Sequence, residues 1–252
     1  MDYQASFKEK QFINKGHTNI SYLLNGNFVQ EKIYTGFNHK IDYKILSIFD
    51  FVPKLINNDE MKVEWEFIKG DEPKLSNENL IKIAKYLYTI HHSKLKFPSS
   101  NHADRVKKYR KILSEKNVNI KALNDFYRNV NKTLSNMRTD IPCHNDLWTS
   151  NLVLQDETEK LYICDWEYAT MGDPLFELAY FIESANLSKE QEKVFLDAYG
   201  EYDELFLIRH KMLVNYLVIL WVYSQDEKPF STEMYEKRLY KYDKELNQLR
   251  GF

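Results

Sequence analysis

The side chains best suited to chemistry are three oxygen-bearing groups in two short segments. Asp146 lies in His144-x-Asp146 and is followed by Asn151, in the pattern H-x-D-x4-N, and Asp165 follows the apolar run 162–164. A carboxylate such as Asp146 can accept or orient a hydroxyl proton. Asn151 and Asp165 offer the oxygen ligands that Mg²⁺ prefers when phosphates and waters complete its coordination. The spacing therefore predicts phosphoryl transfer to a small alcohol.

Length and composition restrict the class of protein. The 252 residues suffice for one large domain or two lobes, and 43% hydrophobic with 29% charged residues is typical of a globular chain. A net charge of -2 provides no basic field, so we expect no nucleic-acid partner. The two cysteines make neither a disulfide framework nor a metal motif, which fits a reducing cytoplasm.

No segment is predicted to enter a membrane. The chain opens with polar and charged residues, so we expect no signal peptide. The longest apolar run, 212–223, contains Asn215 and is shorter than the roughly 20 residues of a span. It predicts a buried helix.

The first part of the chain has the pattern of a sheet. Asn25-Gly26 is a hairpin signal between apolar segments at 19–24 and 27–34. Apolar residues over 41–49 recur at helical spacing, and 62–68 alternates as a strand. We expect a small β-rich lobe over residues 1–69, which binds the nucleotide.

From residue 70 the pattern is mostly helical. Ser76 is a plausible N-cap, and the helical patterns lie at about 77–90, 104–116, 121–137, 174–185, 188–199, 203–225 and 231–249. A short hairpin over 141–166 is expected to carry both motifs, with Cys143 and Cys164 on paired strands as small buried hydrophobes. The prediction is an α+β, two-lobed fold similar to that of protein kinases, with residues 70–252 forming the larger helical lobe and its acceptor site.

Lys32 is the candidate phosphate-binding lysine, because it follows Val29 in the V-x-x-K spacing of the kinase strand lysine. Asp42, on the following helix, is the best-placed acidic partner. The alternative is an ordinary surface lysine.

Two further segments are candidates for nucleotide contacts. The loop at 16–19 contains Thr18 and Asn19, whose side chains and backbone N–H groups are expected to cover the phosphates, although an ordinary hairpin turn is the alternative. The segment from Glu66 to Ile68 is placed to offer backbone groups to the adenine edge. His144 and Asn145 are expected to hold the catalytic loop by hydrogen bonds.

Five stretches resemble the choline/ethanolamine kinase branch of the aminoglycoside-phosphotransferase-like superfamily. They are G-x-T-N at 16–19, H-N-D-L with Asn151 at 144–151, D-W-E-Y-A at 165–169, G-D-P with F-E-L-A at 172–179, and the pattern Leu220-Trp221, Gln225, Tyr235 and Arg238. The resemblance spans nearly the whole chain.

This resemblance implies phosphorylation of choline or ethanolamine with ATP and Mg²⁺. Trp221 would then help to form an aromatic box for the ammonium group, and Trp148 would lie near the acceptor. Glu167 and Glu177 are the candidate acids for charge complementarity. The alternative for each tryptophan is packing in the core.

Several alternatives remain open at this level. Val218 stands where a second family tryptophan would be expected, and the chain is shorter than typical eukaryotic members. The acceptor of a related kinase would be an aminoglycoside, thiamine or a sugar. A different class is a catalytically inactive kinase-like binding module, against which Asp146, Asn151 and Asp165 argue. None of these patterns predicts an oligomeric state.

Overall fold

The computed structural model describes residues 10–13 and 18–251. The chain divides into two compact units. The first contains Met1–Lys74 and Thr149–Tyr168, and the second contains Leu75–Trp148 and Ala169–Phe252. The chain therefore crosses between the units three times. The domain boundary proposed at residue 69 stays a prediction.

A five-stranded antiparallel sheet forms most of the first unit. Its strands are β1 (Gln11–Ile13), β2 (Ile20–Leu24), β3 (Asn27–Glu31), β4 (Leu55–Asn58) and β5 (Lys62–Glu66), in the order β1-β2-β3-β5-β4. The predicted hairpin joins β2 to β3, where Asn25 and Gly26 have φ of 56° and 82°. These positive φ values match the right-handed twist of paired strands, which explains the Asn-Gly sequence.

The segment between β3 and β4 folds as a 3-10 helix, Tyr43–Ile48, where the apolar spacing predicted a helix. Its buried residues, Tyr43 and Leu46, join a core that contains Tyr22, Val29, Val63 and Trp65. Asp42 caps this helix because its Oδ1 accepts a 3.1 Å hydrogen bond from the Lys44 N–H.

A second, three-stranded sheet completes the first unit. It contains β6 (Gly70–Asp71), β8 (Leu152–Gln155) and β9 (Leu161–Ile163), with β8 in the middle. A Cβ on Gly70 would lie 2.1 Å from the Leu154 carbonyl oxygen, so only glycine fits this strand pairing.

The second unit is mainly helical. Its helices are α1 (Asn77–His91), α2 (His102–Glu115), α3 (Lys121–Asp125), α4 (Tyr127–Asn136), α5 (Pro174–Ser184), α6 (Lys189–Tyr199), α7 (Glu204–Ser224) and α8 (Glu233–Leu249). As predicted, Ser76 caps α1. The pattern over 121–137 was expected to be one helix, but Phe126 interrupts it between α3 and α4.

Helix α7 is the central helix of this unit and packs against α2, α4, α5 and α8. By length and composition it is apolar enough to cross a membrane, but 78% of its most apolar window is buried inside the protein. No other helix in the described ranges meets that criterion. The prediction of a buried helix over 212–223 agrees with this packing.

The strands around the two motifs pair differently from the prediction. Strand β7 (Ile141–Cys143) pairs with β10 (Thr170–Gly172), whereas β8 pairs with β9. Cys143 therefore lies opposite Thr170 and not beside the strand that precedes Cys164. The expected single hairpin was wrong because β7 and β8 belong to different units.

Candidate functional site

The two proposed metal ligands lie at one end of the β8–β9 hairpin. Asn151 directly precedes β8, Asp165 follows shortly after β9, and Leu152 pairs with Ile163. The Cys164 N–H donates to the Asn151 carbonyl oxygen at 2.8 Å, so the hydrogen-bond ladder extends to the ligand segment. Both side chains are partly exposed. Two half-buried oxygen groups at one strand end suit Mg²⁺, which needs few protein ligands beside phosphates.

Asp165 has a left-handed backbone, with φ of 60°. Asp tolerates this region better than most residues. Gln30 of β3, which is 5% exposed, donates from Nε2 to Asp165 Oδ1 at 3.3 Å. Thus the carboxylate is oriented from the five-stranded sheet.

Lys32 follows β3 and lies two residues after Gln30. Its Nζ donates to Asn58 Oδ1 at 2.7 Å and to the Asp59 carbonyl oxygen at 2.5 Å. Burial lowers the pKa of Lys32 from its usual range. The structure does not bring Lys32 to Asp42, because Asp42 caps the 3-10 helix. The phosphate-binding role of Lys32 stays a prediction.

The phosphate-loop prediction falls partly outside the described residues, because Gly16 and His17 are not among them. Thr18 and Asn19 are described, and Asn19 is engaged within the first unit. Its Nδ2 donates to Glu167 Oε2 at 2.9 Å, and its Oδ1 accepts from the Ile33 N–H at 3.2 Å. The side chain of Asn19 therefore fixes the base of this loop.

The proposed adenine segment begins where β5 ends. The Glu66 N–H donates to the Lys54 carbonyl oxygen at 2.8 Å. Ile68 is 7% exposed, and Phe67 between them is 38% exposed. The contact of Glu66 and Ile68 with a nucleotide stays a prediction.

In the second unit, Asp146 lies on the loop after β7 and is partly exposed. The Tyr180 hydroxyl, from α5, donates to Asp146 Oδ1 at 2.5 Å. Burial and the Asp146 charge raise the pKa of Tyr180 well above its usual range, so its phenol stays a donor. The Tyr180 hydroxyl therefore orients the Asp146 carboxylate.

Trp148 stands beside this pair. Its ring meets that of Tyr180 edge to face, with centroids 5.9 Å apart at 87°. The backbone N–H of Trp148 donates to the Asp146 carbonyl oxygen at 3.0 Å. The rings of Trp148 and Tyr180 therefore adjoin the proposed catalytic carboxylate, and a position of Trp148 near the acceptor stays a prediction.

Hydrogen bonds to buried groups hold the loop that carries Asp146. The Asn145 N–H donates to Glu177 Oε1 at 2.7 Å, and Asn145 Nδ2 donates to Thr170 Oγ1 at 2.9 Å. His144 Nδ1 accepts from the Asp146 N–H at 3.3 Å. These contacts agree with the expectation that His144 and Asn145 shape the loop.

The two acids expected near an ammonium group are fully buried and engaged. Glu167 is 3% exposed and lies 2.8 Å from His39 Nε2, and Glu177 is 0% exposed and lies 2.8 Å from His91 Nε2. Their acceptor role stays a prediction, but their contacts are internal to each unit.

Trp221 lies on α7 and is partly exposed. Its ring centroid is 6.1 Å from that of Phe230, which in turn lies 5.9 Å from Tyr235. Val218 is buried, at 6% exposure. Trp221, Phe230 and Tyr235 therefore form one aromatic cluster, and its role as an ammonium box stays a prediction.

His91, Cys143 and Glu177 place their ligand atoms within 4.8 Å of one another. Hydrogen bonds from His91 and Asn145 account for Glu177, and burial raises the pKa of the Cys143 thiol well above its usual range. A protonated thiol is a poor metal ligand. This cluster is therefore explained by packing and hydrogen bonding.

Sequence reasoning missed several residues that orient these groups: Gln30, His39, His91, Tyr180 and Tyr199. Gln30 had a usable signal, since it lies two positions before Lys32 and so shares its strand face. Tyr180 lies three positions after Glu177, on the neighbouring helix surface. The histidines had no local signal, because their partners are distant in sequence.

The chain belongs to the choline/ethanolamine kinase family, whose family model matches residues 9–248. A curated relative, the "Protein LicA homolog" of Mycoplasma capricolum, is 42% identical over 92% of this chain and 97% of its own length. The resemblance derived from the motifs is confirmed.

Solved structures share the fold. The crystal structure of the choline kinase LicA from Streptococcus pneumoniae has a TM-score of 0.70 at 20% identity, covering 95% of this chain and 92% of its own. A crystal structure of LicA in complex with AMP has a TM-score of 0.72 at 20% identity, covering 97% and 94%. The predicted kinase-like α+β fold class, with an N-terminal antiparallel sheet and a larger helical region, is confirmed.

Proposed function

We propose that this protein transfers the γ-phosphoryl group of ATP to the hydroxyl of choline, with Mg²⁺ as cofactor. The observation that carries the proposal is the family match over residues 9–248, within which Asp146, Asn151 and Asp165 are all present. The AMP complex of LicA, a protein with the same fold, supports a nucleotide as co-substrate.

The proposed chemistry depends mainly on position and charge, because the phosphoryl group needs little covalent help. Asn151 and Asp165 would hold Mg²⁺, which neutralises phosphate charge when it is bound. Asp146 receives or directs the hydroxyl proton at its carboxylate. Tyr180 fixes the direction of that carboxylate. Lys32 is the proposed partner of the phosphates, and to bind them its Nζ would exchange its hydrogen bonds with Asn58 and Asp59 for phosphate oxygens.

The candidate acceptor residues support choline over ethanolamine as the proposed substrate. A quaternary ammonium has no N–H to donate, whereas a primary ammonium has three. The buried acids Glu167 and Glu177 already accept hydrogen bonds from protein groups. Trp148 and Trp221 are partly exposed, and an aromatic face attracts a quaternary cation by about 0.5–2 kcal/mol per contact.

An acceptor panel tests this proposal. The protein would be incubated with ATP and Mg²⁺ and with choline, ethanolamine, thiamine, kanamycin or simple sugars, and ADP release would be followed. We expect the highest kcat/KM with choline. A preference for any other acceptor would overturn the choline assignment. If no acceptor in the panel gave ADP release, a binding module would be favoured.

The proposed setting is the cytoplasm, which supplies ATP and keeps thiols reduced. Burial raises the pKa of Cys164 to about 12 and raises that of Cys143 as well, so both thiols stay protonated and unreactive.

A further inference from the structure

Glu167 is a buried carboxylate of the first unit that contacts several hydrogen-bond donors. It is 3% exposed, and its Oε2 lies 2.9 Å from Asn19 Nδ2, 2.9 Å from Asn38 Nδ2 and 2.8 Å from His39 Nε2. Hydrogen bonds to a charged acceptor are about twice as strong as neutral ones. One oxygen therefore gathers three donors from distant parts of the sequence.

The donors come from two segments that are themselves fixed. Asn19 stands at the start of β2 and is also within 3.0 Å of His39 Nε2 through its Oδ1. Asn38 donates to the Ile33 carbonyl oxygen at 2.9 Å and accepts from the Thr35 N–H at 2.9 Å. The chain that leaves β3 is thus folded around the same carboxylate.

The backbone of Glu167 takes part as well. The His39 N–H donates to the Glu167 carbonyl oxygen at 2.7 Å, and His39 has φ of 54°. Histidine, like asparagine and aspartate, is enriched among the non-glycine residues in this left-handed region. Side chain and backbone together join the two segments.

Glu167 lies two residues after Asp165, the proposed metal ligand. Trp166 between them is 1% exposed, stacks on Phe49 with centroids 6.2 Å apart at 10°, and donates from Nε1 to the Ile163 carbonyl oxygen at 3.0 Å. The short segment therefore has little freedom to move. Glu167 and Asp165 therefore lie at the two ends of one anchored three-residue segment, and the contacts of Glu167 help to hold that segment in place.

We propose that Glu167 is a positioning residue for nucleotide binding, which ties Asn19 at the base of the proposed phosphate loop to the segment that carries Asp165. This role rests on the proposed kinase function. It differs from the acceptor role that the sequence suggested, because the carboxylate is surrounded by donors of the first unit. Asn19 and the metal ligand Asp165 are thereby held in fixed positions relative to each other.

The test is nucleotide affinity, measured without turnover. Calorimetry with full-length protein, Mg²⁺ and the non-hydrolysable analogue AMP-PNP would compare wild type with Glu167→Gln. The amide keeps the size but removes the charge and turns an acceptor into a donor facing other donors. We expect the Kd to rise at least tenfold at a temperature where both proteins are folded. A merely structural role would lower Tm and leave the Kd of the folded protein unchanged.

Glu64→Gln is the matched control. Glu64 lies on β5 of the same unit and accepts from Asn27 Nδ2 at 2.8 Å. The same chemical change there should leave the Kd within twofold of wild type. Equal Kd values for Glu167→Gln and wild type would overturn the proposal, and so would an equal loss in both variants.

His39→Asn decides the matter if Glu167→Gln does not fold. Asparagine tolerates the positive φ at this position but lacks the Nε2 donor to Glu167. We expect a several-fold rise in Kd, and an unchanged Kd would overturn the proposal. Wild-type protein that binds no AMP-PNP at all would instead overturn the proposed kinase function, and this inference with it.

Discussion

Each of the two units contains a hydrogen-bond chain in which a histidine links a tyrosine hydroxyl to a glutamate carboxylate. The two hydrogen-bond chains differ in their neighbours. In the first unit, His39 lies 2.8 Å from the Tyr43 hydroxyl through Nδ1 and 2.8 Å from Glu167 through Nε2. In the second unit, His91 has the same two distances, 2.8 Å to the Tyr199 hydroxyl and 2.8 Å to Glu177. The geometry within each chain is thus alike.

The difference lies in what else each glutamate accepts. Glu167 accepts side-chain amides from Asn19 and Asn38, at the base of the proposed phosphate loop. Glu177 accepts a backbone N–H, that of Asn145, beside the proposed catalytic Asp146. Two similar hydrogen-bond chains therefore adjoin two different groups of candidate site residues. Damage to the first should weaken nucleotide binding, and damage to the second should slow turnover.

The largest effect is expected at Asp146, the carboxylate beside the hydrogen-bond chain of the second unit. Asp146→Asn keeps size and can still accept from Tyr180, but it cannot take a proton. We expect kcat to fall about 10²–10⁴-fold while AMP-PNP binding is retained. Steady-state kinetics and calorimetry measure both. Turnover like that of wild type would remove Asp146 from its role.

Glu177→Gln tests the asymmetry between the units. A buried polar group left without its hydrogen-bond partner typically costs about 1–3 kcal/mol of stability. We expect a lower Tm and, in the protein that remains folded, at least a tenfold lower kcat with a nucleotide Kd within twofold of wild type. Urea unfolding and kinetics at low temperature measure these. A weakened nucleotide Kd with unchanged kcat would contradict the asymmetry.

Tyr180→Phe removes the hydroxyl that orients Asp146. We expect kcat to fall about tenfold, which corresponds to about 1.4 kcal/mol on the barrier, with an unchanged KM for ATP. Tyr216→Phe is the control, since Tyr216 is also buried and donates to the Leu123 carbonyl oxygen at 3.0 Å. Equal kcat values in the two variants would show that Tyr180 acts through packing alone.

The smallest effects are expected at Tyr43 and Tyr199, the tyrosines of the two hydrogen-bond chains. Burial raises the pKa of Tyr43 and of Tyr199, so each phenol stays protonated and available to its histidine. Tyr43→Phe and Tyr199→Phe should each lower the free energy of unfolding by about 1 kcal/mol. Denaturant titration measures it. A loss in only one of the two would show that the chains are not equivalent.

Local signals predicted much of the fold. The Asn25-Gly26 turn, the Ser76 cap and the apolar run of α7 are each specified by neighbours in sequence, and these elements are present. The strand pairing of β7 with β10 was not predictable, because it depends on which unit each strand joins. The break at Phe126 was missed because apolar spacing continues through it.

The candidate site was predictable only in part. The motif spacing identified Asp146, Asn151 and Asp165 as oxygen-bearing groups, but spacing says nothing about the partners that orient them. Gln30 reaches Asp165 across 135 positions of sequence, and His91 reaches Glu177 across 86. Contacts over such separations follow from tertiary packing. Asp42 was predicted as the partner of Lys32 from its position in the sequence, and the sequence did not reveal that Lys32 contacts Asn58 and Asp59.

The central claim is that this chain makes phosphocholine, and ³¹P NMR tests it most directly. Wild-type protein mixed with choline, ATP and Mg²⁺ should convert the γ-phosphate resonance into that of a phosphomonoester of choline, with one ADP formed for each ester. Asp146→Asn should leave the ATP resonances unchanged over the same period. A wild-type spectrum that shows ADP with inorganic phosphate alone, or no change at all, would contradict the account.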